Sequence, residues 1–452
     1  MNKFNQDNKI TKLTIPRIVI AGIQSGCGKT TISRTIMAAL MRRGLIVQPY
    51  KIGPDFIDPS HHTVICKRVS RNLDLVMTGE NGVFNSFLKG SEGADIAVIE
   101  GVMGMYDGLD GTTWGSSAHI ARILKAPVIL VIPVEGMSTS VHAIITGFRQ
   151  YEPDINLAGV ILNRVNSPKH RDLVRAKAEL PQLGHIPFNS SLFTESRHLG
   201  LFMGDEAELK DNISLIEDNC DIPELIKIAK TAPPLSIISE SPQLSRKSVK
   251  IGIPKDVAFC FYYQHNLDLL SETGAILNYF SPIQDPLPDV DALYLGGGYP
   301  ELYADLLEKG IARDQIRSAS ENGMPIWGEC GGLLYLSEGI SKDSKHRWVG
   351  ILPGQAEMCN RFQALGYCKG ITVGGTSFTK ESYVISGHEF HYSRLYPQSD
   401  AKYTIKLNMG RGIDGGLDGL YTYETVGSYT HSWFSKKFCS EFISAADLFS
   451  KR

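Results

Sequence analysis

The sequence predicts two α/β domains, each built on an open, mainly parallel sheet. Apolar runs that alternate with helical patterns predict strands at residues 18–21, 96–99, 128–132 and 157–162. Continuous apolar runs of this length are typical of strands buried on both faces, as in parallel sheets covered by helices. The alternation restarts at residues 249–253, 293–295 and 325–327. The 452 residues of the chain exceed what one hydrophobic core usually supports.

Composition shifts divide the chain into four expected segments. Residues 1–14 are polar, and we expect a disordered leader there. Residues 231–248 are rich in proline, serine and charge, which predicts a linker. The first domain then covers residues 15–230, and the second covers residues 249–452.

Charge and composition point to small molecules as partners. The formal net charge is -2 with 21% charged residues, so nucleic acid and an anionic membrane are not expected to bind. The strongest apolar stretch, residues 128–134, is too short to span a bilayer, and the N-terminus lacks an apolar signal region. We therefore expect a cytoplasmic protein, and a homodimer is compatible with the sequence. The eight cysteines form no Cys-x-x-Cys pair, which argues against a disulfide framework or a structural zinc site.

Residues 22–31, Gly-Ile-Gln-Ser-Gly-Cys-Gly-Lys-Thr-Thr, predict a phosphate-binding loop between a strand and a helix over residues 31–43. Small residues let backbone amides face phosphate oxygens, and the helix N-terminus adds a positive field. Lys29 would supply a movable charge and Thr30 a hydroxyl for Mg²⁺. The usual spacing places a glycine at position 23, whereas here it is Gly22. The predicted phosphate-binding residues are Ser25, Gly26, Gly28, Lys29, Thr30 and Thr31.

Four acidic residues follow at positions where predicted strands end, which is where ligands bind in α/β sheets. Glu100 ends the strand at residues 96–99, and we expect it to hold Mg²⁺. Asp55 and Asp58 lie in a proline-flanked segment, where they are either site residues or turn residues. Asp107 lies in a glycine-rich loop after Glu100. His61 and His62 could be metal ligands, although adjacent loop histidines are more often solvated or hydrogen-bonded.

The second domain contains a candidate nucleophile, Cys330, in the segment Gly-Glu-Cys-Gly-Gly at residues 328–332. A tight turn from a strand into a helix would expose its sulfur at the helix N-terminus, where a thiol is activated. The amide of Gly331 and the amides of Gly297 or Gly298 could form an oxyanion hole. The candidate bases are His388, His391 and His431, and spacing alone does not choose among them.

A phosphate loop and a cysteine nucleophile in one chain suggest an enzyme that releases ammonia at one site and uses ATP to install it at another. The sequence in fact resembles the cobyrinate a,c-diamide synthase family, which comprises glutamine-dependent amidoligases of tetrapyrrole coenzyme synthesis. The resemblance covers nearly the whole chain after residue 15. The matching segments are residues 25–31, 51–59, 100–108, 258–263, 296–301, 328–332, 387–393 and 429–431.

The resemblance implies a first domain similar to dethiobiotin synthetase and a second similar to class I glutamine amidotransferases of the cobyric acid synthase type. It makes Cys330 the glutaminase nucleophile and His431 its base. The acidic residue that usually follows this histidine by two positions is here Trp433, so the group that orients His431 is an open question. In the first domain, the resemblance assigns Thr30, Asp55 and Glu100 to Mg²⁺, Asp58 and Asp107 to substrate activation, and Asn163 to adenine.

The implied reaction is the amidation of two acetate side chains of a macrocycle, with ATP as co-substrate, Mg²⁺ as cofactor, and L-glutamine and a tetrapyrrole acid as substrates. The candidate acids are cobyrinate and nickel sirohydrochlorin, and in either case a transition metal would belong to the substrate. One rival interpretation is a partitioning-type ATPase that switches a partner. Such proteins carry a lysine five residues before the loop lysine, where this chain has Gln24. A second rival, the longer cobyric acid synthase, is disfavoured by the compact length and by residues 51–59.

Overall fold

The computed structural model describes residues 9–175, 179–188, 206–239, 248–341 and 345–452. The chain divides into two compact units, residues 1–241 and 242–452. None of the helices in these described ranges is both long and apolar enough for a membrane span. All eight cysteines carry free thiols.

The first unit is an α/β unit whose main sheet is parallel throughout. Its described strands are β1 Lys9–Leu13, β2 Arg17–Gly22, β3 Val47–Ile52, β4 Arg71–Leu73, β5 Ile96–Glu100, β6 Val128–Pro133, β7 Leu157–Val165, β8 Gln182–Pro187 and β9 Leu235–Ser239. Its described helices are α1 Lys29–Arg42, α2 Ile57–Cys66, α3 Leu75–Ser91, α4 Ser117–Ile123, α5 Ser140–Tyr151, α6 Pro168–Arg175, α7 Glu206–Asn219 and α8 Ile222–Lys230.

The order of the main sheet, within the described residues, is β4-β3-β5-β2-β6-β7-β8. Every neighbouring pair is parallel, as the continuous apolar runs predict. Strands β2, β3, β5 and β6 are buried along their whole length, and apolar clusters cover both faces of the sheet. The carboxyl ends of β2, β3 and β5 are therefore neighbours at one edge of the sheet, where they present the loops that follow them.

The expected leader and linker are both partly wrong. Residues 9–13 form β1 instead of continuing a disordered leader, and they pair antiparallel with β9, whose residues 235–239 lie inside the expected linker. The hydrogen bonds of this ribbon join segments more than 200 residues apart, so local sequence does not indicate that the two segments pair. Residues 1–8 and 240–247 of these two expected segments lie outside the described residues.

The second unit combines a parallel half-sheet with an antiparallel one. Its described strands are β10 Val249–Pro254, β11 Phe259–Phe261, β12 Ala275–Phe280, β13 Ala292–Leu295, β14 Gly297–Gly298, β15 Ile326–Glu329, β16 Ser337–Ser341, β17 Lys345–Arg347, β18 Leu352–Met358, β19 Ala364–Thr372, β20 Val384–His391, β21 Ser393–Pro397, β22 Tyr403–Met409, β23 Leu417–Thr422, β24 Thr425–Ser428 and β25 His431–Ser432. Its described helices are α9 Gln264–Glu272, α10 Ala304–Lys309, α11 Ile311–Glu321, α12 Gly331–Leu336 and α13 Lys436–Phe449.

The large sheet of this unit runs β12-β10-β13-β15-β24-β23-β22-β19-β20-β25 within the described residues. The pairs from β12 to β24 are parallel, in agreement with the sequence, and those from β24 to β25 are antiparallel. β24 adjoins β15 in parallel, so the segments that follow these two strands leave the sheet side by side. Cys330 directly follows β15, and His431 lies three residues after the end of β24.

Candidate functional site

The loop between β2 and α1 turns back tightly over the end of its own strand. A Cβ added to Gly22 would lie 2.2 Å from Sγ of Cys27, so this position requires glycine. Gly28 has a φ of +94°, and a Cβ added there would lie 2.3 Å from Nδ2 of Asn163. These contacts give a physical reason for the glycine at position 22, which departs from the usual spacing.

Hydrogen bonds within the loop and to residues of other segments fix the conformation of this loop. Nζ of Lys29 donates to the carbonyl oxygens of Gln24 at 3.2 Å and Met103 at 2.6 Å, and burial lowers the pKa of the Lys29 ammonium. Nδ2 of Asn163, at the end of β7, donates to the carbonyl oxygen of Cys27 at 2.9 Å. Of the predicted phosphate-binding residues, Ser25 and Gly26 are exposed, while Thr31 begins the helix together with Lys29 and Thr30.

Glu100 is the centre of a buried polar cluster beside this loop. Its Oε1 accepts hydrogen bonds from Oγ1 of Thr30 at 2.6 Å and from Nζ of Lys51 at 2.8 Å, and its Oε2 lies 2.7 Å from Nε2 of His62. Burial alone would raise the pKa of Glu100, but the charge of Lys51 and the hydrogen bond of His62 hold that pKa well below its ordinary value. Glu100 is therefore an ionised carboxylate without solvent exposure.

Lys51, at the end of β3, joins Glu100 to the aspartates of the next loop. Its Nζ lies 2.6 Å from Oδ2 of Asp58 and 3.9 Å from Oδ2 of Asp55. Burial would lower the pKa of Lys51, but the charges of Glu100 and Asp58 raise it well above its ordinary value. For Asp58, burial and the nearby Glu100 charge raise the pKa to about 6 despite the contact with Lys51.

Asp55 and Asp107 are tied to the backbone of their own loops. Oδ1 of Asp55 accepts from the N–H groups of Ile57 at 2.8 Å and Asp58 at 3.3 Å, which is the turn role considered for it. Its other oxygen faces Lys51. Oδ2 of Asp107 accepts from the N–H of Gly104 at 2.7 Å, and Asp107 is exposed. The Asp107 loop borders the phosphate loop, because the N–H of Met105 donates to the carbonyl oxygen of Gly22 at 2.7 Å.

The structure thus brings Thr30, Asp55, Asp58 and Glu100 into one cluster at the end of the phosphate loop. Hydroxyl and carboxylate oxygens are the hard donors that Mg²⁺ prefers, so the donor set fits this ion. Sequence reasoning gave no role to Lys51, because its strand, Val-Gln-Pro-Tyr-Lys-Ile, has no continuous apolar run that would predict a buried strand end there. His62 is held by Glu100 and also lies 3.4 Å from Oγ of Ser70, which is the hydrogen-bonded alternative considered for it.

In the second unit, Cys330 occupies a strained turn between β15 and α12. Its φ is +48°, a conformation that residues with a side chain rarely adopt, and its N–H donates to the carbonyl oxygen of Ser428 at 2.7 Å. The residue caps the N-terminus of α12 and is largely buried. Burial, with a further contribution from the charge of Glu301, raises the pKa of the Cys330 thiol well above its ordinary value. The predicted strand-to-helix turn is present, but the expected exposure and activation of the sulfur are not, because Cys330 is buried and its thiol pKa is raised.

The three glycines predicted around Cys330 lie close together. A Cβ added to Gly331 would lie 3.0 Å from the backbone nitrogen of Gly298, and one added to Gly297 would lie 2.3 Å from Cε1 of His431. Side chains at these positions would displace either the neighbouring loop or the imidazole. β14, which consists of Gly297 and Gly298, is held in place by antiparallel pairing with β11.

The three candidate histidines occupy different positions. Nδ1 of His388 lies 2.8 Å from the hydroxyl of Tyr263, and its ring stacks on that of His431 with centroids 5.0 Å apart. His391 instead stacks on Tyr429 at 3.7 Å. The ring that lies against the Gly297 backbone is that of His431. Burial, with the nearby His388 and His391, lowers the pKa of His431 well below 6.5, so its imidazole is neutral near neutral pH.

Glu329, the residue before Cys330, connects the strand of the nucleophile to that of His431. Its Oε1 accepts from the backbone N–H of Ser432 at 3.1 Å and from Nε1 of Trp327 at 3.0 Å. Its Oε2 accepts from the hydroxyl of Tyr294 at 3.0 Å. Burial raises the pKa of Glu329 to about 8 in spite of these donors. The sequence analysis named Glu329 only as a neighbour of the nucleophile.

A second buried carboxylate, that of Asp418, holds the turn before His431. It accepts hydrogen bonds from the N–H groups of Tyr429 at 3.0 Å and Thr430 at 3.1 Å, and from the hydroxyls of Ser428 at 2.6 Å and Thr430 at 2.7 Å. Trp433, at the position where an acid was expected, stacks on His265 with centroids 4.3 Å apart. The segment around His431 is therefore fixed by carboxylates that bind its backbone on either side.

Comparison with known proteins identifies both units. Residues 18–201 match the family model described as the CobQ/CobB/MinD/ParA nucleotide binding domain. Residues 250–438 match the model described as the CobB/CobQ-like glutamine amidotransferase domain. The fold and the two sites therefore define the class of this protein, an enzyme that couples a glutamine amidotransferase domain to a nucleotide-binding domain of the P-loop type.

Relatives of nearly the same length narrow this class. The chain is 42% identical to the cobyrinate a,c-diamide synthase of Archaeoglobus fulgidus over 97% of this chain and 99% of the relative. It is 40% identical to that of Methanosarcina barkeri over 96% of each chain, and 39% identical to that of Listeria monocytogenes over 92% of this chain and 96% of the relative. The chain belongs to the cobyrinate a,c-diamide synthase family. It is a glutamine-hydrolysing carbon–nitrogen ligase.

The buried ion cluster predicts a strong dependence of the first unit on Lys51. Lys51→Met would leave the carboxylates of Glu100 and Asp58 buried without their cation, and we expect the free energy of unfolding of this unit to fall by about 3 kcal/mol or more. Urea titration measures this loss. The matched control is Lys227→Met, because that lysine is exposed and pairs with Glu224 on the helix surface at 3.2 Å. The control should cost less than about 1 kcal/mol, and equal losses in the two variants would contradict this account of the cluster.

Glu329 predicts a pH dependence of the stability of the second unit. Its pKa is raised from 4.5 to about 8 by burial, so between these values the folded state retains a proton that the unfolded state has released. Stability must therefore fall as the pH rises through this window. Glu329→Gln has no proton to lose, and its free energy of unfolding should change less between about pH 5 and pH 8. Urea titrations across that range test this, and parallel profiles for the two proteins would disprove it.

Proposed function

We propose that the enzyme converts the a and c acetate side chains of cobyrinate into amides, using ATP and glutamine. The observation that supports this most is that one chain contains both the carboxylate cluster at a phosphate loop and the strained Cys330 turn beside His431. The relatives named above are cobyrinate a,c-diamide synthases by name, and they align with this chain over nearly their whole length. A carboxylate is a poor electrophile, so the reaction needs both an activating site and a source of ammonia.

In the first unit, the phosphate loop and Lys29 would bind the triphosphate of ATP. Thr30, Asp55 and Glu100 would hold Mg²⁺, which when bound offsets the charge of the phosphates. We assign to Asn163, which lies against the loop through its bond to Cys27, a contact with the adenine ring. Lys51 and His62 keep Glu100 ionised and fixed in orientation, so the carboxylate is ready for a cation.

Asp58 and Asp107 would act on the substrate carboxylate. Transfer of the γ-phosphoryl group of ATP to that carboxylate gives an acyl phosphate and ADP, and attack by ammonia then releases phosphate and leaves the amide. Asp58 lies beside Lys51 and has a pKa of about 6, so it can gain or lose a proton near neutral pH. Asp107 is exposed on the loop that borders the phosphate loop, where an incoming macrocycle can reach it.

In the second unit, Cys330 would attack the carboxamide of glutamine. His431 removes the thiol proton and returns it to the leaving ammonia, and water then hydrolyses the thioester to glutamate. The amides of Gly298 and Gly331, with Gly297 beside the imidazole, would stabilise the oxyanion. The turn at Cys330 and the bonds of Glu329 and Asp418 hold the groups on both sides of the reaction in place.

A Cys330→Ala variant separates the two half-reactions. Without the thiol no thioester forms, so glutamine-dependent amidation should fall about a thousandfold or more. Free ammonia bypasses this step and should still support amidation at the first unit. Product formation is measured with glutamine and with ammonium salt at equal ATP. Loss of both activities would contradict the separation of roles, and retention of glutamine use would exclude Cys330 as the nucleophile.

Analysis of the amide products identifies which macrocycle is the substrate. The enzyme is incubated with ATP, Mg²⁺, glutamine and either cobyrinate or nickel sirohydrochlorin, and mass spectrometry follows carboxylate-to-amide conversions. We expect two conversions with cobyrinate. Conversion of nickel sirohydrochlorin alone would assign the enzyme to that macrocycle, which also carries a and c acetate groups. If neither acid is converted while glutamine is hydrolysed, the proposed substrate class is wrong.

A further inference from the structure

A cavity of about 220 Å³ in the second unit lies beside the segment that carries His431. It is lined by His391, Tyr429, Arg394, Arg411 and Asp414, among others. Tyr429 directly follows Ser428, whose carbonyl oxygen accepts the N–H of Cys330 at 2.7 Å. The wall formed by Tyr429 therefore borders the turn of the nucleophile.

The ring of His391 has an unused hydrogen-bond acceptor. Its Nδ1 lies 2.8 Å from the carbonyl oxygen of Ser393, which requires that this nitrogen carry the hydrogen. Burial lowers the pKa of His391 to about 4, so the ring is neutral and its Nε2 has a lone pair. His391 is only 5% exposed, and Nε2 has no hydrogen-bond partner in the described part of the chain. A buried acceptor without a partner is rare and costly, which points to a ligand that donates a hydrogen bond.

The rest of the lining carries charges of both signs. Nη1 of Arg411 donates to the carbonyl oxygen of Gln363 at 2.5 Å, which fixes one side of its guanidinium. The guanidinium of Arg394 lies over the ring of Tyr396, 5.1 Å from its centroid. Asp414 adds a carboxylate to the same lining. Two guanidinium groups match a carboxylate, while the carboxylate and the imidazole acceptor match an ammonium. A small zwitterion such as an amino acid has both of these groups.

We propose that this cavity binds the amino-acid end of glutamine. Nε2 of His391 accepts a hydrogen bond from the α-ammonium group, assisted by the charge of Asp414, and Arg394 and Arg411 bind the α-carboxylate. The side chain of the substrate then extends past Tyr429 toward Cys330. This inference rests on the proposed glutaminase function and assigns the residues that recognise glutamine.

Deleting one group from the protein and its partner from the substrate tests the assignment. His391→Phe keeps the ring that stacks on Tyr429 and removes the acceptor. The probes are L-glutamine and glutaramic acid, which lacks the α-ammonium group, and the readout is kcat/KM for amide hydrolysis. With the wild-type enzyme, loss of the ammonium group should cost about tenfold or more. With His391→Phe this ratio should shrink toward one, because the interaction is already missing.

His346→Phe is the matched control, because this histidine lies outside the cavity lining and pairs with Glu308. It should leave the ratio at its wild-type value. If His391→Phe also leaves the ratio unchanged, the assignment of His391 is overturned. If the Cys330→Ala variant hydrolyses glutamine as well as the wild-type enzyme does, the proposed function fails instead, whatever the ratio.

A second variant keeps the test usable if His391→Phe does not fold. Arg394→Gln changes an exposed residue, and its probe is 4-aminobutanamide, which lacks the α-carboxylate. Loss of the carboxylate should lower kcat/KM several-fold less in this variant than in the wild-type enzyme. Part of the loss should persist, because Arg411 remains. Equal penalties in the two proteins would overturn the carboxylate site at Arg394.

Discussion

Both candidate sites depend on buried carboxylates, which are stable in the protein interior only when donors surround them. The two units meet this requirement in opposite ways. In the first, Glu100 is bound by the cation of Lys51, by His62 and by Thr30, and its pKa falls well below the ordinary value. In the second, Glu329 is bound by neutral donors only, and its pKa rises to about 8.

This difference suits the chemistry of each site. An ionised Glu100 can contribute negative charge to a cation beside the phosphate loop. A carboxylate next to Cys330 would have the opposite effect, because negative charge near a thiol raises its pKa and disfavours the thiolate. Glu329 is largely protonated below about pH 8, so it can join two strands by hydrogen bonds with little added charge beside the sulfur.

Much of the fold followed from local sequence. The predicted strands of the first unit agree with β2, β5, β6 and β7 to within a few residues, because fully buried strands show as continuous apolar runs. The antiparallel half of the second sheet was not anticipated. Several of its strands mix buried and exposed residues, as β22 does, so they show no continuous apolar run, and their pairing depends on distant partners. The β1–β9 ribbon was missed for the same reason.

The residues that motifs identify were easier to predict than those that support them. Cys330, the three glycines and His431 were grouped from sequence, and the structure brings them together. Lys51 and Glu100 are 49 residues apart, and no sequence motif indicates that they are in contact. Asp418 is a single aspartate in a hairpin. Its role is visible only in the folded structure, where its carboxylate binds the turn at residues 428–430. Supporting residues act through contacts with side chains or backbone groups far away in the chain, which no local motif indicates.

In the proposed mechanism, His431 acts without an acid at position 433, where this chain has Trp433. A carboxylate bonded to an imidazole both orients it and raises its pKa. Here orientation comes from Glu329 and Asp418 through the backbone, while burial keeps the pKa of His431 well below 6.5. The pKa of the Cys330 thiol is raised at the same time. Both shifts favour a neutral thiol and a neutral imidazole over an ion pair.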